Sequence, residues 1–248
     1  MSGQEAAQVI MESLVSAIMP ACYGALAATA IQCFLNQDYP NRELIVLDNN
    51  RDDQTIEQLC IDPRIKYFRV TRRDIGTLRN EGIRQSAGDI ICHFDCDDWY
   101  SNDRISAQVR YLKESKRSVT GFANILYYQM EPDSTGGTYK YYFNIREIRA
   151  GRFGVVPVSN YATGTSQMYT RAWWEKHPFQ SLTRGEDYWF QDEAMKAGEL
   201  HSVDGGKFVV ARAHQGSLSP PMLGHAQFPA VDKSEFPQQF FTDTVSAC

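Results

Sequence analysis

Short apolar segments alternate with longer segments of helical periodicity through the first 118 residues of the chain. The apolar segments have the length and composition of buried strands, and they are LVSAIMPA (14–21), RELIVLD (42–48), RIKYFRV (64–70) and DIICHFD (89–95). The segments that follow them are helical in pattern, and they are 25–37, 56–60, 77–88 and 102–115. We expect Gly88 to cap the third helix and Ser101 or Asn102 to cap the fourth. Strands that alternate with helices predict an α/β fold with a central, mostly parallel sheet flanked by helices.

The chain changes character after about residue 118. The elements expected there are aromatic-rich strands at 118–130 and 136–145 around the turn EPDSTGG, helices at 165–177 and 186–198, and a strand at 206–214. The tail from Ser217 is rich in proline, so we expect it to be irregular. The sequence thus predicts one domain with a first half (1–118), a smaller aromatic-rich lobe (119–216) and a tail (217–248).

Composition limits the class of protein. The chain has 248 residues, of which 43% are hydrophobic, and a formal net charge of −5, which suits one globular domain. No apolar stretch reaches the roughly 18 residues of a membrane span, and the N-terminus lacks the pattern of a secretory signal. The six cysteines show no metal-finger spacing, which favours a reducing compartment. We therefore expect a cytoplasmic protein, either free or peripheral to the inner membrane face, without a broad nucleic-acid surface.

Two of the predicted strands end in acid. RELIVLD ends at Asp48, and DIICHFD ends at Asp95, which Asp97 and Asp98 follow closely. The carboxyl ends of parallel strands lie at one edge of the sheet, where open α/β sheets bind ligands. No glycine-rich phosphate loop occurs in the chain, so bound phosphates would need another positive charge. Clustered carboxylates suit Mg²⁺ or Mn²⁺, and the pattern predicts a metal that holds a diphosphate.

Each of these acids also has an ordinary structural explanation. Asp97 or Asp98 can cap the helix that starts near Asn102, and residues 48–50 can form a turn in which the Asp48 side chain bonds the backbone. For an isolated D-x-D we would favour these explanations. The position of this one at a strand end, together with Asp48, favours a binding site instead.

Four further stretches carry information when they are taken whole, and they are VSAIMPACYG, CFLNQDYPNRELIVLDNN, LRNEGIRQSAGDIICHFDCDDWYSNDRI and RGEDYWFQDEA. Together they resemble the family 2 glycosyltransferases of the GT-A fold, and the resemblance covers about residues 14–215. It implies a Rossmann-like GT-A sheet, with a nucleotide-sugar-binding half (1–118) and an acceptor-binding, catalytic-base half (119–216). It further implies a metal-dependent, inverting transfer of a sugar from a nucleoside-diphosphate sugar, UDP-linked by preference, to an acceptor hydroxyl.

The resemblance assigns the donor pocket to residues near the ends of the first two strands. Pro20 and Ala21 would line the base pocket, Asp48 and Asn49 would contact the base and ribose, and Arg79 would lie near the nucleotide or its diphosphate. The family often has a second acid where this chain has Asn49. An amide oxygen still accepts a hydrogen bond from the N3–H of uracil or thymine.

The resemblance assigns the metal to the acidic motif. Asp95 would approach the ribose, Cys96 would belong to the donor-binding set, and Asp97 or Asp98 would hold Mn²⁺ or Mg²⁺. His214 would be a further metal ligand, since neutral imidazole suits Mn²⁺. A lone histidine is more often structural, and that alternative stays open.

Asp187, in GEDYWF, matches the general base of the family. It would take the proton of the acceptor hydroxyl as that oxygen attacks the anomeric carbon. An unperturbed carboxylate is a weak base at pH 7, so we expect Asp187 to be partly desolvated by Tyr188 and Trp189. The alternative is that Glu186 and Asp187 only stabilise the N-terminus of a helix.

Other residues follow with less specific roles. Residues 163–166 would lie near the donor sugar, and His93 is expected to pack in the core. Trp173, Trp174, Tyr188 and Trp189 can stack on sugar rings, although for at least half of them we favour core packing.

Two rival functions are weighed against a glycosyltransferase. A sugar-phosphate nucleotidyltransferase usually has a glycine-rich, basic loop after its first strand, and PACYGALAAT has neither property. A non-catalytic nucleotide-sugar-binding module would not need the full acidic set. The Q-x-x-R-W block of processive members is absent, because DEAM follows Gln191, so we expect transfer of one sugar at a time. The acceptor stays open among lipid-linked glycans, proteins, small molecules and modified nucleic acids.

Overall fold

A computed structural model of the chain describes residues 13–22, 24–49, 55–71, 73–130, 141–143, 161–214, 217 and 232–245. Within these ranges the strands are β1 (Val15–Ala21), β2 (Arg42–Asp48), β3 (Ile65–Arg69), β4 (Ile90–His93), β5 (Trp99–Tyr100), β6 (Val119–Asn124), β7 (Leu126–Gln129), β8 (Tyr141–Phe143), β9 (Met168–Thr170), β10 (Leu200–Asp204) and β11 (Val209–Ala213). The α-helices are α1 (Gly24–Leu35), α2 (Thr55–Leu59), α3 (Ile75–Gln85), α4 (Arg104–Ser115), α5 (Arg171–Lys176), α6 (Glu186–Lys196) and α7 (Gln238–Val245). All four strands predicted in the first half are present.

A seven-stranded sheet forms the centre of the molecule, in the order β10-β6-β9-β4-β1-β2-β3. Neighbouring strands are parallel except at β9, which runs antiparallel to both β4 and β6. The mostly parallel α/β sheet predicted from the alternation of segments is therefore confirmed. Strands from both sides of residue 118 contribute to it, so the two predicted halves share one sheet.

Successive side chains of β1 point to opposite faces of this sheet, and both faces are covered. Val15, Ala17 and Met19 belong to one apolar cluster, which also contains Ile31 of α1. Ile18 points to the other face and packs in a second cluster with residues of α3, α5 and α6. Every residue of β1, β2 and β4 is buried, as expected for a strand covered by helices on both sides.

The segment 165–177 was predicted as one helix, and this is wrong for its first part. Gly164–Ser166 is a 3₁₀ turn, Met168–Thr170 is strand β9, and only Arg171–Lys176 is α-helical. Met168 is fully buried between β4 and β6, whose unpaired edges β9 joins. Pairing with strands distant in sequence overrides the local preference.

The predicted caps of α3 and α4 also differ from the structure. Helix α3 ends at Gln85, and the residue that caps it is Ser86, which is extended. Gly88 instead allows a close approach, because a Cβ there would lie 2.5 Å from the Leu14 carbonyl oxygen. Asp103 precedes α4 without a capping bond from its side chain. The Gln37 Oε1 accepts from the Ile105 N–H at 2.9 Å and supplies the missing acceptor from 68 residues away.

A smaller sheet, in the order β5-β11-β7-β8, contains the aromatic strands of the second half. β7 and β8 pair antiparallel as expected, and the turn between them lies outside the described residues. The tail was expected to be irregular, yet it contains α7. The rings of Trp99 and Tyr128 lie 5.9 Å and 5.2 Å from the ring of Phe240, and this apolar burial accounts for the helix.

No helix within the described ranges is both long and apolar enough to cross a bilayer. The cytoplasmic location stays a prediction.

Candidate active site

The two acidic strand ends lie at the same edge of the large sheet. Asp48, the last residue of β2, is paired with Ala21 in β1, and the Phe94 N–H continues the β1–β4 pairing by donating to the Ile18 carbonyl at 3.0 Å. Asp95 follows directly. The parallel register therefore brings together acids that are 47 positions apart in the sequence.

A cleft of about 340 Å³ opens at this edge. The sequence-predicted residues that line it are Pro20, Arg79, Asp95, Cys96, Asp97, Asp98, Thr163, Gly164, Thr165 and Asp187. Ala21, Asp48, Asn49 and His214 were predicted for the same site but are not among its lining residues. The lining also includes Tyr127, Tyr161 and Tyr188, of which only Tyr188 was considered from the sequence.

Asp48 is fully buried and does not line the cleft. Its Oδ2 accepts from the Tyr67 hydroxyl at 2.6 Å and lies 3.3 Å from Nη2 of Arg69. The neighbouring Asn49 is half-buried, and its amide oxygen has no hydrogen-bond partner among the described residues. An acceptor without a donor at this position can receive an N–H from a ligand.

Arg79 joins the acidic loop, residues 95–98, to helix α6. Its Nη2 lies 3.1 Å from Asp95 Oδ1, and its Nε lies 3.2 Å from Glu186 Oε1. Burial raises the pKa of Glu186 to about 7, although the charge of Arg79 opposes this shift. The third nitrogen of the guanidinium, Nη1, has no hydrogen-bond partner in the described part of the chain. Arg79 therefore retains donor capacity in a cleft that it lines.

Asp97 and Asp98 have different surroundings. The Oδ2 of Asp97 lies 3.1 Å from Nε2 of His214, so these two predicted metal ligands are in contact. Asp98 is buried, and its Oδ1 accepts from the Arg212 N–H at 3.1 Å. Burial raises the pKa of Asp98 well above its ordinary value, and the neighbouring charges of Asp97 and Asp95 add to the shift.

Arg212 holds the acidic loop in place, and sequence reasoning missed it. Its Nε donates to the Asp97 carbonyl at 2.6 Å, and its Nη2 donates to the Leu26 carbonyl at 2.8 Å. The side chain is buried, which is rare for arginine unless it is paired. The signal was present, because Arg212 is the one charged residue within the apolar run FVVARA.

Asp187 lies in the first turn of α6 and is half-buried. Its Oδ1 accepts from the Tyr188 N–H at 2.9 Å, so the carboxylate also stabilises the helix N-terminus. Tyr188 is half-buried, whereas the side chain of Trp189 is 42% exposed. Trp173 and Trp174 are buried in the second apolar cluster, in agreement with core packing for half of the aromatic set.

The donor atoms of the site fit a divalent cation that shares its coordination with a ligand. The residues that the structure describes contain no group of three or more His, Cys, Asp or Glu side chains able to hold a metal. Asp97 and His214 supply one carboxylate and one imidazole. Such a pair suits Mn²⁺ or Mg²⁺, which is commonly bound through one or two carboxylates and completed by phosphate oxygens and water.

The fold is shared with two solved glycosyltransferases. TarS of S. aureus, in complex with UDP-GlcNAc, has a TM-score of 0.60 at 18% identity, over 82% of this chain and 60% of that one. The mannosyltransferase PcManGT from Pyrobaculum calidifontis, in complex with GDP-Man and Mn²⁺, has a TM-score of 0.62 at 15% identity, over 83% and 59%. The expected GT-A architecture is confirmed.

The sequence relatives are also named as glycosyltransferases. An uncharacterized glycosyltransferase of Haemophilus influenzae is 34% identical over 116 residues, which are 43% of this chain and 45% of that protein. The chain spans less than half the length of the curated relatives that it matches. Residues 16–178 match the family described as Glycosyl transferase family 2. The match covers more than half of the chain, which therefore belongs to glycosyl transferase family 2.

Proposed function

We propose that this protein is a metal-dependent, inverting glycosyltransferase that moves one sugar from a nucleoside-diphosphate sugar, with UDP as the first candidate, to an acceptor hydroxyl. The observation that carries the proposal is one cleft lined both by the acids of the 95–98 loop and by Asp187. Its volume of about 340 Å³ is within the range of small-molecule sites. Family membership supports the reaction class, and the two structural neighbours, bound to UDP-GlcNAc and GDP-Man, support the donor class.

In this proposal the donor is held by residues at the sheet edge. We assign the base end to Pro20, which lines the cleft, and to Asn49, whose unpartnered amide oxygen suits the N3–H of uracil. Ala21 and Asp48 are buried beside them and support this end. The unpartnered Nη1 of Arg79 donates to a diphosphate oxygen.

We assign metal binding to Asp97 and His214, which are in contact, with Asp98 supporting the loop through the Arg212 backbone. A divalent cation held there would neutralise the negative charge of the leaving diphosphate. Asp95 and Cys96 complete the donor side of the cleft.

Asp187 removes the proton from the acceptor hydroxyl. The acceptor oxygen forms its bond to the anomeric carbon as the bond from that carbon to the diphosphate oxygen breaks, so the configuration inverts. The rings of Tyr127, Tyr161 and Tyr188 line the same cleft and can stack on a sugar, so we propose a glycan hydroxyl as the acceptor, on a lipid or another carrier.

The test is a screen of UDP- and GDP-sugars for hydrolysis to free sugar and nucleoside diphosphate, with Mn²⁺ and with EDTA. We expect donor hydrolysis in the presence of Mn²⁺ and none in the presence of EDTA. Asp187→Asn should lower the rate by roughly 10²- to 10⁴-fold, the usual contribution of a general base. Glu193→Gln, on the same helix but outside the cleft lining, is the matched control and should keep the rate.

Three results would contradict the proposal. Formation of pyrophosphate from a nucleoside triphosphate and a sugar phosphate would identify a nucleotidyltransferase. Binding of a nucleotide sugar by the wild-type protein without any turnover would identify a non-catalytic binding module. Unchanged hydrolysis in Asp187→Asn would remove the base from the mechanism.

A further inference from the structure

The carboxylate of Asp187 lies directly on the backbone of Gly164. A Cβ atom at position 164 would come 2.1 Å from Asp187 Oδ2 and 2.9 Å from Asp187 Cγ, so a residue larger than glycine would displace the carboxylate. The same turn also contacts the backbone of the base, because Gln167 Nε2 donates to the Asp187 carbonyl at 3.0 Å. The turn 163–167 therefore touches both the side chain and the main chain of Asp187.

A buried histidine fixes this turn from the side of the core. His93, the last residue of β4, has no exposed surface, and its Nδ1 lies 2.7 Å from the Gly164 carbonyl oxygen. A carbonyl can only accept, so Nδ1 carries the proton and Nε2 accepts from the Tyr169 hydroxyl at 3.2 Å. Burial lowers the pKa of His93 well below its ordinary value, and the charge of Arg79 lowers it further, so the ring is neutral.

The rest of the turn is anchored separately. The Ser166 hydroxyl donates to the Thr163 carbonyl and accepts from the Phe122 N–H, each at 2.8 Å. Gln108 Nε2 donates to the Ser166 carbonyl at 2.7 Å. These bonds hold the two ends of the turn. The Gly164 carbonyl accepts from the Gln167 N–H at 3.3 Å within the turn and from His93 Nδ1 at 2.7 Å, so His93 makes the shorter contact and ties this peptide to β4.

We infer that His93 is a positioning residue for the general base, acting through the Gly164 peptide to hold the Asp187 carboxylate at the acceptor hydroxyl. This inference rests on the proposed function, in which Asp187 is the base. A catalytic base displaced by about 1 Å can lose roughly 10²-fold in rate. Loss of the hydrogen bond from His93 to the Gly164 carbonyl, beside the carboxylate, can therefore lower the rate of the reaction.

The experiment compares four variants by donor hydrolysis with Mn²⁺, by affinity for UDP with Mn²⁺ and by thermal unfolding. His93→Asn keeps an N–H close to the position of Nδ1, and His93→Leu removes it. Gly164→Ala crowds the carboxylate directly. Gly88→Ala is the control, because its Cβ would lie 2.5 Å from the Leu14 carbonyl at the other end of β1 and so strains the fold away from the cleft.

We expect His93→Leu and Gly164→Ala to lower kcat by roughly 10- to 100-fold while affinity for UDP, which lacks the sugar, stays close to wild type. For His93→Leu, which does not line the cleft, KM for the donor should also stay close to wild type. His93→Asn should restore most of kcat. Gly88→Ala should lower the unfolding temperature without lowering kcat. The inference is overturned if His93→Leu keeps wild-type kcat, if His93→Asn and His93→Leu lose kcat equally, or if UDP affinity falls in proportion to kcat.

One measurement is independent of turnover and of variant folding. The ¹⁵N NMR shifts of the His93 ring in the wild-type protein should report a neutral ring protonated at Nδ1, and protonation at Nε2 instead would overturn the inference. A wild-type protein that neither hydrolyses nor binds any nucleotide sugar would instead refute the proposed function. Wild-type turnover with unaffected His93 variants would refute only the inference.

Discussion

Arg79 is the residue at which the acidic loop 95–98 and helix α6 meet, since it contacts Asp95 on one side and Glu186 on the other. Burying an arginine that is only 4% exposed costs desolvation free energy, and the carboxylates beside it offset that cost. Glu186 is adjacent to Asp187 in α6, so the same contact also fixes the start of the helix that carries the proposed base. Neither contact follows from the sequence, because the pattern LRN gives no indication that its arginine reaches an acid 107 residues away.

The pKa of Glu186 leads to a prediction about stability against pH. Burial raises this pKa from 4.5 to about 7, so between these two pH values the folded protein keeps a proton that the unfolded chain has already released. The stabilisation is present below about pH 4.5 and is lost as the pH rises through 7. Between pH 5 and pH 8 the wild type should lose about 2 to 3 kcal/mol of unfolding free energy relative to Glu186→Gln. Urea titrations of both proteins at the two pH values measure this, and parallel pH profiles would contradict it.

At the scale of elements, the sequence predicts strands whose pattern is visible in the segment itself. The prediction fails for short strands that form only by pairing with segments distant in the sequence. β1, β4 and the centre of β2 are apolar runs, and their place inside the sheet could be predicted because such runs need cover on both faces. β9 has three residues and exists because β4 and β6 each have an edge for it. β5 and β10 were not predicted either, because β5 has two residues and LHSVD lacks a clear apolar alternation.

Helix α7 gives the element-scale prediction. Phe240 is fully buried against Trp99 of β5, and Asp243 of the same helix accepts from Trp99 Nε1 at 2.9 Å. Phe240→Ala should lower the unfolding free energy by about 3 to 5 kcal/mol, the usual cost of truncating a buried phenylalanine. Phe241→Ala removes a half-buried ring from the same helix and should cost clearly less. Denaturant unfolding compares the two, and equal losses would show that the helix does not depend on the Phe240 contact.

At the scale of the molecule, the site combines residues from most of the chain on one sheet edge. Asp48 and Asp95 could be placed there from the sequence, because parallel strands align their carboxyl ends. The contact of His214 with Asp97 spans 117 residues and needs the second sheet, in which β11 pairs with β5 just after the acidic loop. The sequence could therefore predict the edge and its acids, whereas the pairing that selects Asp97 over Asp98 as the partner of His214 required the structure.

The same assembly predicts how ligands change the stability of the whole chain. UDP at 100 times its dissociation constant should raise the unfolding free energy by about 2.7 kcal/mol when Mn²⁺ is present, because only the folded state has the site. EDTA and Asp97→Ala should each remove this increase, since both eliminate the cation that joins the protein to the diphosphate. Asp187→Asn should retain it, because in our proposal Asp187 acts on the acceptor and not on the donor. Thermal unfolding of the three proteins with UDP, with and without Mn²⁺, separates these effects. An equal increase in EDTA would remove the metal from donor binding, and loss of the increase in Asp187→Asn would place Asp187 in the donor site.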